Sequence, residues 1–328
     1  MRRREFLKRG TLATGILSMS NLELFGETMS TQDKTENRPG FIPKRRYGKT
    51  DVMLSVIGFG GIIVMNAEQE TANKSVAKAY ERGVNYFDVA PTYGDAEVKL
   101  GPALEPYRKD VFLACKTGQR NYQGAKEEFE RSLERMRTDY FDLYQLHAIT
   151  DVEKDVDAAF AGDGVMKLLM EEKKQGRIRY LGFSAHSEEA ALKAMERYDF
   201  DSILYPVNFA AYMKGEFGPE VVKKAQEKQM AILALKMLAR QRAEADDPVR
   251  KKYTKCWYRP ITDTEEAKLA MSFTLNQPVT AALPPGEEEL FTMALDLIPD
   301  IKKITEEQFA KLKRLSSTLA EPIFPEPT

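Results

Sequence analysis

Asn85-Tyr86-Phe87-Asp88-Val89-Ala90, Val111-Phe112-Leu113-Ala114-Cys115-Lys116 and Phe141-Asp142-Leu143-Tyr144-Gln145-Leu146-His147 decide how this chain folds. Each is a short, largely apolar run of strand length, the pattern of a strand buried on both faces. Each also leads into a chemically useful group: Asp88 and Tyr93 in and after the first, Lys116 ending the second, His147 ending the third. A carboxylate, a phenol, an ammonium and an imidazole at one end of a parallel sheet are what carbonyl reduction requires. An unperturbed tyrosine has a pKa of about 10 and donates protons poorly until a nearby cation stabilises its anion. Lys116 is the candidate cation, Asp88 its anchor, and His147 the group that grips the carbonyl oxygen. Any one of these alone would read as a cap or a surface ion pair. The four together, in this order, do not.

Working outward, apolar runs that read as strands fall near 54–60, 85–90, 111–116, 141–147, 179–184, 202–208, 230–238 and 279–283. Between them lie amphipathic stretches at Glu70–Arg82, Ala125–Arg137, Val165–Gln175, Glu188–Tyr198, Pro219–Lys228, Thr264–Leu275 and Glu288–Leu297. Gly83 and Gly176 are stop signals, and Ser187 opens a helix. This alternation predicts an α/β fold with a parallel sheet, and eight units are the number that closes a (β/α)8 barrel. An open doubly wound sheet would need a glycine at position 63 after Gly58 and Gly60, but Ile63 stands there. In the barrel, the strands' C-terminal ends carry the active site, and the four candidate residues fall at those ends.

From about Arg45 to about Leu297 the chain resembles the aldo-keto reductases, an NAD(P)H-dependent family built on the TIM barrel. The resemblance rests on Tyr47-Gly48-Lys49-Thr50 with Leu54–Gly61, on Phe87-Asp88-Val89-Ala90-Pro91-Thr92-Tyr93-Gly94, and on Ala114-Cys115-Lys116-Thr117. Tyr144-Gln145-Leu146-His147 and Ile178-Arg179-Tyr180-Leu181-Gly182-Phe183-Ser184 complete it. It implies hydride transfer between the nicotinamide and the carbonyl or alcohol of a small aldehyde, ketone or sugar-like substrate. In that scheme Tyr93 is general acid/base, Lys116 depresses its pKa, Asp88 positions Lys116, and His147 orients and polarises the carbonyl. Cofactor contacts are implied at Gly60, Gly61, Asp88, Ser184, Lys236, Met237, Leu238, Pro285, Gly286 and Glu289.

Departures from the family pattern are as informative. Ser184 is followed by Ala185 and His186 where the family usually has Asn, so His186 either takes over a polar contact, points at substrate, or caps the next helix. Leu204 replaces a Gln of the sixth strand. Lys236, in Ala234-Leu235-Lys236-Met237, either reaches the cofactor phosphate or sits in solvent. The long polar segment Arg240–Pro260 is expected as a loop by the cofactor or pocket rim. Its Trp257, with Tyr258, either walls the substrate pocket or packs on the outer helices. Family habit favours NADP(H). The stretch Leu283-Pro284-Pro285-Gly286-Glu287-Glu288-Glu289-Leu290 has no basic residue before Lys302, which favours NAD(H) by repelling a 2′-phosphate, unless Arg240 or Arg242 swings across.

The 328 residues are 43% hydrophobic and 30% charged with net charge −1, so nucleic acid is not an implied partner. Cys115 and Cys256 give neither a disulfide framework nor metal-ligand spacing, and no metal is expected. Residues 1–30, opening Arg2-Arg3-Arg4-Glu5-Phe6-Leu7-Lys8, resemble a twin-arginine export signal, which implies the export machinery as partner and a periplasmic location. An accidental basic tail on a cytoplasmic protein is the alternative. The leader is too short and polar for a stable membrane span. Residues 31–44 read as a flexible linker, 45–300 as the barrel, and 301–328 as an added helix and an extended tail. A cofactor-binding sensor or structural subunit on the same barrel, with little turnover, remains the second functional class.

Overall fold

The computed structural model describes residues 41–325, so the leader, most of the linker and the last three residues lie outside it. Two short strands open the chain, β1 (Lys44–Arg46) and β2 (Met53–Ser55), paired antiparallel. Between them the turn passes through Gly48 at φ +54°, where a side chain would be strained and would also strike the Gln229 carbonyl at 2.9 Å. Tyr47, completely buried, packs on Phe112 and Tyr180 beneath the sheet.

The chain then alternates β3 (Phe59–Gly60), α1 (Gln69–Glu81), β4 (Tyr86–Asp88), α2 (Ala96–Leu104), β5 (Phe112–Thr117), α3 (Tyr122–Met136), β6 (Phe141–Ile149), α4 (Val165–Lys174), β7 (Ile178–Ala185) and α5 (Glu188–Arg197). It continues through β8 (Ser202–Pro206), the helices α6 (Phe209–Met213) and α7 (Pro219–Glu227), and β9 (Ala231–Leu235). A hairpin of β10 (Ala239–Arg242) and β11 (Tyr258–Pro260) encloses the short α8 (Pro248–Lys252). Then come α9 (Thr264–Leu275), β12 (Ala281–Ala282), α10 (Glu288–Leu297) and α11 (Glu306–Thr318). Eight of these strands form one parallel sheet in the order β12-β9-β8-β7-β6-β5-β4-β3. The sheet closes on itself: Gly58 N donates to the Ala282 carbonyl (3.0 Å), and Ala282 N donates to the Val56 carbonyl (2.9 Å). Closure leaves this eight-stranded sheet without an open edge. The fold is the (β/α)8 barrel that the eight strand–helix units predict.

Side-chain alternation divides the core into two layers. Tyr86, Phe112, Ala114, Leu143, Leu204, Ala231, Leu233 and Ala281 pack together in the barrel interior, while Phe87, Leu113, Cys115, Tyr144 and Leu146 belong to the layer under the helices. On β4, β5 and β6 the interior positions continue into Asp88, Lys116, Gln145 and His147. Register places Asp88 beside Ala114 and Lys116 beside Gln145. The polar groups therefore form one layer above an apolar plug.

Three elements differ from the sequence expectation. Helix α2 was not anticipated, because it contains Gly101 and Pro102, which ordinarily argue against a helix interior. The segment Arg240–Pro260 is no simple loop but a hairpin with a helical turn. The tail does more than cross the surface: Ile323 and Phe324 are fully buried. No helix among the described residues is long and apolar enough to cross a membrane, and none of their His, Cys, Asp and Glu side chains gather into a metal-binding group.

Candidate active site

Lys116 and Asp88 are both buried, and the Lys116 ammonium donates to Asp88 Oδ1 and to the Val89 carbonyl (3.1 Å). The other Asp88 oxygen accepts from the Tyr86 hydroxyl (3.2 Å) and from Gln145 Nε2 (3.3 Å). A buried charge needs such company. With both oxygens engaged, Asp88 is fixed as the seat of Lys116. Burial tends to discharge Lys116, but Asp88 and then Tyr93 outweigh it and its pKa stands above the ordinary value. The ammonium is a permanent cation.

Tyr93 lies in the turn after β4, its amide donating to the Ala90 carbonyl (3.0 Å). Its ring centroid is 5.1 Å from Lys116 Nζ and 5.7 Å from the His147 ring, edge to face. Burial raises the Tyr93 pKa, Lys116 pulls it back, and Asp88 adds to the rise, leaving the phenol above its usual value. Lys116 lowers the Tyr93 pKa as expected, but burial raises it by more. His147 Nδ1 lies 3.4 Å from the Thr92 hydroxyl. Burial, Lys116, His186 and Arg120 together hold the His147 imidazole down to about 3, so it is neutral at pH 7. A neutral imidazole carries one N–H and can donate to a carbonyl oxygen.

The remaining candidates are spread around the barrel mouth. Gly60 has open space where a side chain would be, whereas a Cβ on Gly61 would meet Val89 at 2.8 Å. Buried Ser184 accepts through Oγ from the Ala148 amide (2.7 Å). His186 does not cap α5, since Ser187 does so by accepting from Ala190 N; its ring lies 5.1 Å from that of Phe324. Lys236, at φ +66°, lays its ammonium over the rings of Trp257 (5.1 Å) and Tyr258 (4.8 Å), which replaces the solvent-exposed alternative. Trp257 is 44% exposed and meets Tyr258 and Phe324 edge-on, so it rims the mouth instead of packing on the outer helices. Tyr258, by contrast, is buried behind it. Met237 and Leu238 have wholly buried side chains in the outer core layer.

At the β12–α10 turn, Pro285 is buried and Gly286 packs so closely on Ile62 that a Cβ would approach Cγ2 at 2.3 Å. The three carboxylates here are each hydrogen-bonded within the protein, and among the described residues Glu289 alone of them has a cationic side-chain partner, Lys252. Glu287 accepts from Lys255 N (2.7 Å), Glu288 from the Ser75 hydroxyl (2.8 Å), and Glu289 from Tyr253 (2.9 Å) and Lys252 (3.1 Å). Lys255 Nζ reaches the Ile63 carbonyl (2.7 Å). The basic residues beside these carboxylates are Lys252 and Lys255, whereas Arg240 pairs with Glu266 (2.8 Å) and Arg242 donates to the tail carbonyls of Ile323 and Pro325.

Tyr86, Thr92, Gln145 and Phe324 were not singled out from sequence. Tyr86 and Gln145 stand two residues before Asp88 and His147 on the same strands, so strand alternation was the available signal. Phe324 left none, since it arrives from the far end of the chain.

The fold is a (β/α)8 barrel with a buried polar layer at the strands' C-terminal ends. Residues 56–308 match the model of the Aldo/keto reductase family, and the chain belongs to that family. It is accordingly an oxidoreductase that uses a nicotinamide cofactor on a small-molecule substrate. Among relatives, it is 25% identical over 303 residues to Uncharacterized oxidoreductase YqkF of Bacillus subtilis (strain 168), covering 82% of this chain and 95% of that one. It is 28% identical to L-galactose dehydrogenase of Arabidopsis thaliana over 44% of this chain and 48% of that one. Among solved structures, the holo form of aldo-keto reductase AKR11C1 from Bacillus halodurans superimposes with a TM-score of 0.66 at 22% identity, covering 87% of this chain and 99% of that one.

Proposed function

We propose that the protein reduces the carbonyl of a small aldehyde, ketone or sugar-like substrate, or runs the reverse oxidation, with Tyr93 as general acid/base. One observation carries this reading: a buried, permanently charged Lys116, seated on Asp88, faces the Tyr93 ring beside a neutral His147. When bound, the nicotinamide supplies or accepts the hydride. The protein does the rest. His147 donates to the carbonyl oxygen and polarises it. Tyr93, kept protonated by its raised pKa, delivers the proton as negative charge grows on that oxygen, and Lys116 stabilises the tyrosinate left behind. Positioned proton transfer of this kind contributes about 10²–10⁴ in rate.

The residues present fit a dinucleotide. Buried Asn208 Nδ2, just beyond β8, and buried Gln145 Oε1 have no hydrogen-bond partner among the described residues. A buried unpaired amide is costly, and a bound polar group would relieve it. Ser184 and Asn208 would hold the carboxamide end, and Lys252 with Lys255 the phosphate end. Those two lysines offset part of the glutamates' charge, which weakens the argument from repulsion for NAD(H). Lys252 and Glu289 are both largely exposed, and water and salt screen such a pair, so a phosphate can recruit the lysine at little cost. NADP(H) is therefore the cofactor proposed.

Steady-state assays with NADPH and NADH against aromatic aldehydes, short ketones and aldoses test both parts. The expected result is turnover with at least one carbonyl and tighter binding of NADPH, weakened in Lys252→Ala. A sensor on the same barrel would bind nucleotide and turn over none of the panel.

A further inference from the structure

Strand β6 leaves the barrel immediately after His147 in a strained way. Ala148 sits at φ +53°, a left-handed conformation that is unfavourable for a non-glycine residue and persists only where the surroundings enforce it. Three hydrogen bonds enforce it. Ala148 N donates to Ser184 Oγ (2.7 Å), His186 N donates to the Ile149 carbonyl (2.9 Å), and Arg120 Nη2 donates to the carbonyl of His147 itself (2.7 Å). The first two come from β7 and its extension. The third comes from the opposite side, from the loop after β5.

Arg120 is held for this contact. Its Nε donates to Asp155 Oδ1 (3.0 Å), and Nη2 lies 3.0 Å from the same oxygen. Asp155 Oδ2 accepts from Thr150 N (2.7 Å), Thr150 Oγ1 (3.0 Å) and Asp151 N (3.0 Å), which staples the π-helical turn Val152–Asp157 under the end of β6. The backbone of Arg120 is anchored too, its carbonyl accepting from Val165 N at the start of α4 (2.9 Å). Both side chains are largely covered, at 15% and 16% exposure. A guanidinium is suited to this task because its rigid fork serves a carboxylate and a carbonyl at once.

We propose that Arg120 is a positioning residue for His147: clamped by Asp155, it fixes the His147 carbonyl and thereby aims the imidazole at the substrate oxygen beside Tyr93. This rests on the reading of His147 as the carbonyl-orienting group. A second consequence follows from charge. The groups that face His147 are Lys116 from the barrel interior, Thr92 and Tyr93 from the turn after β4, His186 after β7, and Arg120, itself paired with Asp155. Arg120 is one of the three cations or imidazoles that, with burial, hold the ring neutral.

The test uses the nucleotide-bound protein, 4-nitrobenzaldehyde as probe, and the variants Arg120→Met, Arg120→Lys and His147→Asn. Arg120→Met should lower kcat about 10- to 100-fold with nucleotide Kd within about twofold, because the loss lies in aiming a general catalytic group. Arg120→Lys should recover part of that loss. In the His147→Asn background, Arg120→Met should cost nothing further. An equal cost in that background, or full activity of Arg120→Met, overturns the proposal. Near-parental kcat of His147→Asn alone would instead defeat the role of His147, so the two failures are distinguishable. Proton NMR gives an activity-independent readout: with two histidines in the chain, His186→Gln assigns both rings. The His147 titration should move to higher pH in Arg120→Met, and an unmoved titration counts against the clamp.

Discussion

Lys116 and the two histidines have opposite solutions to burial. Lys116 keeps its charge because Asp88 is in contact with it, whereas His147 and His186 give theirs up, their pKa values falling to about 3 and about 4. The sign of the pH dependence follows. In the unfolded chain each imidazole takes up a proton near pH 6.5, while in the folded protein neither does until far lower. The unfolded state thus binds more protons below pH 6.5, and stability is full above that point and declines as pH falls towards 4. The decline is at most about 1.4 kcal/mol per pH unit for each ring. Urea unfolding at pH 7 and pH 5 should show the loss, and His186→Gln should show a smaller one. An equal loss in that variant contradicts the assignment of a neutral, buried His186.

Among elements, the barrel strands were legible because each is covered on both faces and so reads as a continuous apolar run. What escaped was set by tertiary contact. Helix α2 carries Gly101 and Pro102 against local preference, and its packing explains the glycine. A Cβ on Gly101 would lie 2.1 Å from the Arg135 carbonyl and 2.8 Å from Met136 Cα in α3, both backbone atoms that cannot turn aside. Gly101→Ala should therefore force the two helices apart and cost about 1–3 kcal/mol. Gly118→Ala, with nothing within 4 Å of its Cβ, is the control. Thermal midpoints that fall equally in both variants contradict this account of the helix contact. The β10–β11 hairpin escaped for a different reason: Arg240, Gln241, Arg242 and Arg259 are polar because they reach Glu266, the tail and Asp247, partners that sequence periodicity does not reveal. In the candidate site, the strand-borne residues Asp88, Lys116 and His147 were readable from position. The supports of His147, Arg120 and Thr92, sit on loops.

The described residues form a closed barrel whose interior changes from apolar to polar along the strands towards their C-terminal end. The tail completes that end: Phe324 is buried against His186, Phe217 and Trp257, so the last described residues help shape the mouth. The central claim is that a proton passes from the Tyr93 phenol to the carbonyl oxygen with Lys116 stabilising the anion. Single-turnover measurement on Tyr93→Phe tests it most directly, since the change removes the hydroxyl and keeps the ring. Protein preloaded with reduced nucleotide is mixed with 4-nitrobenzaldehyde, and nucleotide oxidation is followed by absorbance. The account predicts nucleotide binding within about twofold of the parent and oxidation slowed by at least about 10²; a rate within about tenfold of the parent would contradict it.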